Sequence, residues 1–460
     1  MRISVLKTTR TDSPNRKIFR AALIVGALTL LAKLGSTAKE LLVAKSFGRG
    51  DALDAFLIAF VLPAFAVNLL VGSLGPALVP AFLETKYSLG PEAAQKLFST
   101  VLFACVLALL ALIIILGLLA PWYLPFLASS FPPAKLRLTR EILFLLLPFV
   151  LFNGVTVYAS SVLNAGEKFA LPALTPLLTP LATIVLITFG LRNWGAFSLA
   201  AGVVVGSCLE AALVIQALKA LGIRLIPQWY GFSVSVRSVW QQYKPLVAGS
   251  LVMGATSVVD QSMAAMLPQG SVSALSYGSR IISVVLWIGA ASLSTAVLPY
   301  FSQMVAQNDW AGCRNTLKWY TMAVAATTVP FTLCLIAFSK PLVRLVFQRG
   351  AFTAADTDLV GWVQVCYAIQ IPFYICSILF VRFLSSAKRN HVLMWTAGIC
   401  LVLDISLNLV LMKVWGVAGI ALSTSLVYVV SFLVVSVYSG RLLARECASC
   451  LASPAEGVVG

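Results

Sequence analysis

Residues 101–120 read VLFACVLALLALIIILGLLA, twenty consecutive residues without a charge. A helix of about 20 apolar residues crosses the hydrocarbon core of a bilayer, so this run sets the fold class. Runs of the same kind recur on both sides of it, at 18–46, 52–81, 97–120, 141–164, 169–191, 195–219, 242–266, 271–300, 316–339, 358–384, 391–412 and 416–440. The whole chain is 60% hydrophobic and 11% charged, with a mean hydropathy of +0.95. Soluble domains carry about 25% charged residues. The expected architecture is therefore an all-α polytopic membrane protein with about 12 transmembrane helices. The first helix carries charges and is expected to be split or bent.

The net charge of +17 would suit a nucleic-acid binder, but its distribution does not. With the N-terminus inside, the loops of that side hold 20 of the Lys and Arg residues, the opposite loops hold nine, and four lie within spans. This is the positive-inside pattern, which places both termini in the cytoplasm. The basic segment before the first span reads as a topology and anionic-lipid signal. The first run carries lysines through its second half and lacks a small-residue cleavage site, so it reads as retained and not as a signal peptide.

An internal repeat divides the chain. LGPALVPAFLE (74–84) is echoed by LSTAVLPYFSQ (293–303), and LRNWGAFSLA (191–200) by MKVWGVAGIA (412–421), with Trp194-Gly195 matching Trp415-Gly416. Both pairs are about 220 residues apart. The expected domains are a basic cytoplasmic N-terminus (1–17), an N-terminal six-helix lobe (18–220), a cytoplasmic linker (221–241), a C-terminal six-helix lobe (242–440) and a cytoplasmic tail (441–460). An even number of helices per half makes the repeats parallel, as in transporters whose halves rock about a central cavity.

A charge at membrane depth costs about 2.5–3.5 kcal/mol, so such residues face protein or a wet cavity and mark function. Lys33, Lys39 and Lys45 lie in the first run and Arg280 in SYGSRII of a later one. A positive cavity suits an anionic cargo, and the planar fork of Arg suits phosphate. Glu40 is placed to neutralise a neighbouring lysine, Lys45 to reach the interface, and Arg280 has Asp260 as an alternative partner. Asp54 begins the second span after FGRGD (47–51), where a helix dipole favours an acid; a first-span lysine is another partner for it. Asp260, Asp404, Asn408 and Thr424 supply carboxylate, amide and hydroxyl oxygens, the donor set of a hard cation such as Na⁺ or of a proton relay. Interhelical hydrogen bonding accounts for the same residues. Pro63, Gly72, Gly75 and Pro80, then Pro172, Pro176 and Pro180, mark breaks in two spans.

Other chemistry has little to draw on. Cys105, Cys208, Cys334, Cys366, Cys376 and Cys400 are scattered through apolar runs, Cys447 and Cys450 form a lone pair in the tail, and His391 is the one histidine. There is no phosphate-binding loop, nucleophile elbow, zinc-peptidase motif or dinucleotide fingerprint. No cofactor is expected, with Na⁺ as a candidate coupling ion.

LAKLGSTAKELLVAKSFGRGDALDAFLIAFVLPAF (31–65), LVPAFLE (78–84), VLNAGEKFALPALTPLL (162–178), GSVSALSYGSRII (270–282) and VFQRGAFTAADTDL (346–359) together resemble the MurJ/MviN lipid II flippases. That family belongs to the superfamily of multidrug exporters and polysaccharide flippases. The resemblance implies two six-helix lobes around a cationic cavity that faces each side of the membrane in turn. Its cargo would be a polyprenyl diphosphate carrying a peptidoglycan precursor. By the same resemblance Lys33, Lys39 and Arg280 hold the diphosphate, Asp54 and Glu40 belong to the cavity or its gate, and Asp260, Asp404, Asn408 and Thr424 form the cation site. The chain departs from the family at Val67 and Asn68, where arginines are usual, and in the two further helices that the lipid II group usually adds.

The function expected is a flippase of the bacterial inner membrane, not an enzyme, moving a lipid-linked saccharide outward by alternating access. Lipid II is the first cargo, and an exopolysaccharide or O-antigen unit the alternative. A cation-coupled drug exporter fits a positive cavity less well. A membrane glycosyltransferase or ligase is the alternative of another class, with Asp356 as the one acid its longer outer loops offer; a scaffold without transport is a third. Expected partners are the lipid-linked glycan, membrane lipids and cell-envelope synthesis enzymes, without nucleic acid, the chain itself being a monomer.

Overall fold

The computed structural model describes residues 14–452. The basic residues before Pro14, the last residues of the expected tail and the side chain of Cys450 lie outside the described residues. The helices in chain order are α1 (Pro14–Phe47), α2 (Asp51–Val67), α3 (Leu74–Ser88), α4 (Pro91–Leu127), α5 (Pro133–Ala165), α6 (Ala170–Leu174), α7 (Leu178–Trp194), α8 (Ala196–Ala220), α9 (Val234–Ala264), α10 (Ser271–Ala306), α11 (Trp310–Ala337), α12 (Ser339–Phe347), α13 (Ala354–Ala368), α14 (Gln370–Ser386), α15 (Asn390–Trp415) and α16 (Val417–Ala452). No strand occurs among the described residues. With α2 and α3, α6 and α7, and α13 and α14 each taken as one rod, every apolar run of the sequence has its helix. Ten helices among the described residues are long and apolar enough to cross a membrane. The other two long ones, α1 and α9, open the two repeats and carry lysines, Asp260 and other polar groups between their apolar residues.

Two expectations are corrected. α1 runs unbroken through Lys33, Lys39 and Lys45, so its charges do not split it. The stretch 340–357, read as a loop, contains α12, whose buried residues Ser339, Val343 and Phe347 share one face of a nine-residue helix. Such a helix is too short to stand out as an apolar run.

The chain forms two compact units. The first comprises the chain up to Ser46, Leu62–Trp122 and Leu138–Ser250; the second comprises Phe47–Val61, Tyr123–Arg137 and the chain from Leu251.

In the first unit both marked spans are broken, although Pro63 and Pro80 lie inside helices and the first break falls at Gly72. α2, with Pro63 inside it, gives way to a π-helical stretch, Asn68–Gly72, and α6 passes to α7 through a single 3₁₀ turn at Thr175–Leu177. Neither Pro176 nor Pro180 can donate to a helical ladder. α7 and α8 then pack along Ser198, Gly202 and Gly206, four residues apart and hence on one face. A Cβ on Gly202 would lie 2.5 Å from Thr183 Cα, and one on Gly206 2.3 Å from Thr179 Cα, so only glycine admits this approach. Small residues are the usual means of close helix association in lipid.

The repeat seen in sequence has a shared corner. Trp194-Gly195 joins α7 to α8 with Gly195 at φ 51°, ψ −126°, and Trp415-Gly416 joins α15 to α16 with Gly416 at φ 56°, ψ −134°. Residues with a Cβ rarely adopt this backbone, which accounts for the glycine at both places. The core of the second unit gathers Phe301 of α10, Leu379 and Phe383 of α14 and Val435 of α16, with Phe301 and Phe383 edge to face at 5.7 Å.

Candidate functional site

The most completely bonded polar centre lies in the second unit, at the start of α10. Asp54, only 1% exposed, accepts hydrogen bonds from Gly270 N at 2.8 Å and from both Ser273 N and Ser273 Oγ at 2.8 Å. Gly270 is the N-cap of α10, and Ser273 is its third residue. The first amides of a helix have no partner inside it, and its positive dipole end favours an anion. Asp54 therefore caps a helix 216 residues away in sequence. Its expected role at the start of its own helix α2 is the lesser part of what it does. Its lysine partner is Lys135, which lies 3.0 Å from Asp54 Oδ2 and 2.6 Å from Asp51 Oδ1. The Lys135 ammonium, almost fully buried, also sits 3.9 Å from the centre of the Phe131 ring.

The turn that precedes Asp54 is fastened as well. Tyr277 of α10 donates to Gly48 O at 3.2 Å, and Arg49 Nε donates to Asp356 Oδ1 at 2.8 Å. Gly48 has φ 55°, and a Cβ there would collide with Ala351 O. Asp356 also accepts from Thr353 N at 2.8 Å and Thr353 Oγ1 at 2.9 Å in a capping box at the start of α13. Three donors occupy its carboxylate, which makes it a cap and an ion-pair partner and leaves the proposed glycosyltransferase without its acid.

The residues expected to form a cation site do come together in the second unit. Asn408 Nδ2 donates to Asp260 Oδ1 at 2.8 Å, Thr424 Oγ1 to Asp260 Oδ2 at 3.2 Å, and Ser423 Oγ to Asp404 Oδ1 at 3.3 Å. Asp260, Asp404 and Asn408 are buried, and the two carboxylates lie within electrostatic reach of one another. Asp404 Oδ2 and Asn408 Oδ1 have no hydrogen-bond partner among the described residues. Orphaned buried oxygens beside two like charges fit a hard cation, which takes carboxylate and amide oxygens. The same residues also bond one another across α9, α15 and α16, so the interhelical reading is satisfied in part. No group of three or more His, Cys, Asp or Glu residues able to hold a metal occurs among the described residues.

The cations proposed for a diphosphate divide between the units: Lys33 and Lys39 fall in the first, Arg280 in the second. Lys33 is exposed, and Lys39 is half-buried with its ammonium 3.0 Å from Glu40 Oε1, the pairing anticipated for Glu40. Lys39 lines a polar cavity of about 510 Å³ in the first unit with Asn153, Asn164, Ser160 and Glu210. The exposed Arg280 donates from Nη2 to Ser276 Oγ at 3.4 Å.

Two side chains escaped the sequence reading. Lys135 lies in a stretch counted only as an outer loop, and nothing local signals that it reaches an acid 81 residues earlier. Glu210 had a signal: it is an acid inside the run GVVVGSCLEAALV (202–214). It is buried and accepts from Thr179 N at 3.2 Å, an amide set free by the break between α6 and α7. It closes the Ser198, Gly202, Gly206 stripe one turn further on.

Long apolar helices, with buried carboxylates and cations inside them, define the class as a polytopic α-helical membrane transporter. Residues 43–451 match the family described as lipid II flippase MurJ, and the chain belongs to that family. A lipid II flippase MurJ of Burkholderia cenocepacia is 29% identical over 88% of this chain and 80% of its own length. A probable lipid II flippase MurJ of Bdellovibrio bacteriovorus is 26% identical over 89% and 79%. In fold the chain resembles a solved lipid II flippase MurJ in an inward closed conformation, with a TM-score of 0.77 at 24% identity over 95% of this chain and 94% of that one. An inward-facing multidrug resistance transporter of the MATE family gives 0.73 at 12% identity, over 93% and 99%.

Proposed function

We propose that this protein carries a polyprenyl-diphosphate-linked saccharide, lipid II in the first place, from the cytoplasmic to the outer leaflet of the bacterial inner membrane by alternating access. The observation that carries the reading is the set of cations held within apolar helices, Lys33, Lys39 and Arg280, in a chain of this family. A cation there costs insertion energy, and a diphosphate gives that cost a purpose. Lys33 and Lys39 lie in the first unit and Arg280 in the second. The polar cavity beside Lys39 offers hydroxyl and amide groups of the kind that bind sugar and peptide.

Asp54 serves as the gate's fastening. Its carboxylate joins the start of α2 to the first turn of α10 within the second unit, and release of this contact would free that end of α10. Asp260, Asp404, Asn408 and Thr424 would hold a sodium ion, which would offset the like charges of the two carboxylates. Both termini lie in the cytoplasm, by the asymmetry of Lys and Arg in the loops. The chain works as a monomer, delivering cargo to envelope synthesis enzymes.

Translocation of fluorescent lipid II in proteoliposomes tests the reading, with Arg280→Ala, Lys39→Ala and a sodium gradient as variables. Transport by the wild type and its loss in either variant is the expected result. A folded wild type that leaves lipid II in place would sink lipid II as the cargo, and the same assay with other lipid-linked glycans would then decide the class.

A further inference from the structure

The first unit holds a second cavity, unlike the polar one beside Lys39. About 380 Å³ in volume, it opens between the π-helical stretch before α3, the middle of α4, the segment before α9 and the first turns of α9. Such a volume falls within the range of about 300–1,000 Å³ typical of ligand sites. Four aromatic rings line it: Trp229, Phe232, Trp240 and Tyr243. The floor on α4 is kept low by Ala104 and Ala108, one turn apart.

The two hydroxyls in the wall are already engaged. Tyr243 Oη donates to Leu70 O at 2.9 Å; Thr100 Oγ1 donates to Lys96 O at 2.8 Å and accepts Tyr230 N at 3.3 Å. A water-soluble ligand would find few polar contacts here, whereas hydrocarbon gains by burial. The rim is cationic. Lys244 Nζ stands 5.4 Å from the centre of the Trp240 ring, and the exposed Arg237 lies three residues before Trp240 on the same face of α9. Val236, Val239 and Tyr243 share the neighbouring face and turn into the cavity. An apolar hole beneath a cationic rim complements an amphiphile with an anionic head.

We infer that this cavity holds part of the isoprenoid chain of a polyprenyl diphosphate as it docks, with the phosphates drawn to Arg237 and Lys244 before they pass to Lys33, Lys39 and Arg280. The inference rests on the function proposed above. The aromatic lining favours isoprene over a straight acyl chain, because its alkenes pack on ring faces.

The test uses the purified full chain in nanodiscs with a photoactivatable short-chain prenyl diphosphate as probe. Mass spectrometry locates the label, with undecaprenyl diphosphate and phosphatidylglycerol as competitors. Label is expected on the α4 segment 101–109 and the α9 segment 236–243, displaced by undecaprenyl diphosphate and not by phosphatidylglycerol. Ala108→Phe should weaken this labelling roughly tenfold, the effect of excluding about two methylenes from an apolar site. Leu118→Phe, on exposed α4 surface away from the cavity, should leave it unchanged. Ala104→Phe is the second filling variant, should Ala108→Phe not fold. Equal displacement by phosphatidylglycerol would overturn the isoprenoid assignment in favour of a membrane phospholipid. Specific labelling elsewhere, untouched by either filling variant, would overturn the site while leaving the flippase reading intact. A folded chain that binds no prenyl diphosphate at all would overturn both.

Discussion

Replacing Asp54 by Asn removes one charge and one acceptor from a centre in which every neighbour is a donor. Gly270 N, Ser273 N, Ser273 Oγ and the Lys135 ammonium all point at the carboxylate. However the amide is turned, its NH₂ must face a donor. Loss of one partner of a buried ion pair costs about 3–5 kcal/mol. Asp51 stays 2.6 Å from Lys135 and is half in solvent, so the lysine keeps a partner. That places the cost near the lower end, about 3 kcal/mol, or roughly a hundredfold in the equilibrium that opens the first turn of α10. Hydrogen exchange resolved to the peptide around residues 268–276 measures that equilibrium. Asp54→Asn should speed exchange there about a hundredfold while the core peptide around Phe383 keeps its protection. Adding Lys135→Met should recover part of the loss, because the buried ammonium goes with its partner. Exchange within about twofold of wild type would show that Asp54 does not fasten α10, and strict additivity of the two substitutions that Lys135 takes no part in the fastening.

Two further outcomes follow from the same geometry. If Asp260, Asp404, Asn408 and Thr424 hold sodium, replacing potassium by sodium should raise thermal stability by about 2.7 kcal/mol at a hundred times the dissociation constant, and Asp404→Asn should abolish the increment. A sodium response that survives Asp404→Asn would place the ion elsewhere. Gly206→Val should push α7 from α8, since a Cβ there falls 2.3 Å from Thr179 Cα; about 1–3 kcal/mol of stability should be lost in a detergent melt. Gly249→Val, with open space around its Cβ position, is the matched control and should not lose stability.

The sequence was informative wherever the bilayer was the cause. Each apolar run became a helix, because hydrocarbon forbids unpaired backbone groups and the pattern reports that directly. Helix ends were less legible: the run 97–120 became α4, Pro91–Leu127, since hydropathy marks the edge of the lipid and not the end of the hydrogen-bonded ladder. α12 hid because nine amphipathic residues give no membrane signal. Asp260, Asp404, Asn408 and Thr424 could be grouped because polar side chains are conspicuous in apolar helices and because the family resemblance joined them. Lys135 could not, since its burial depends on acids 81 and 84 residues away that only the fold brings near. Glu210 was conspicuous by the same rule as Asp260 and was passed over all the same. What the sequence does not reveal is that the break marked by Pro176 and Pro180 leaves Thr179 N for Glu210 to bind.

Because Asp54 grips Gly270 and Ser273 together, it fixes more than the end of α10: it fixes the angle at which that helix is set about its own axis. A helix turns about 100° per residue, so seven residues on from Ser273 the accumulated rotation is about 700°, some 20° short of two full turns. The residue found there is Arg280, about 10 Å further along the same face. The carboxylate thus acts as a phase reference for the arginine. Withdrawing Asp54 frees α10 to rotate, and a turn of one residue's worth would swing Arg280 through about 100° without moving the helix sideways at all.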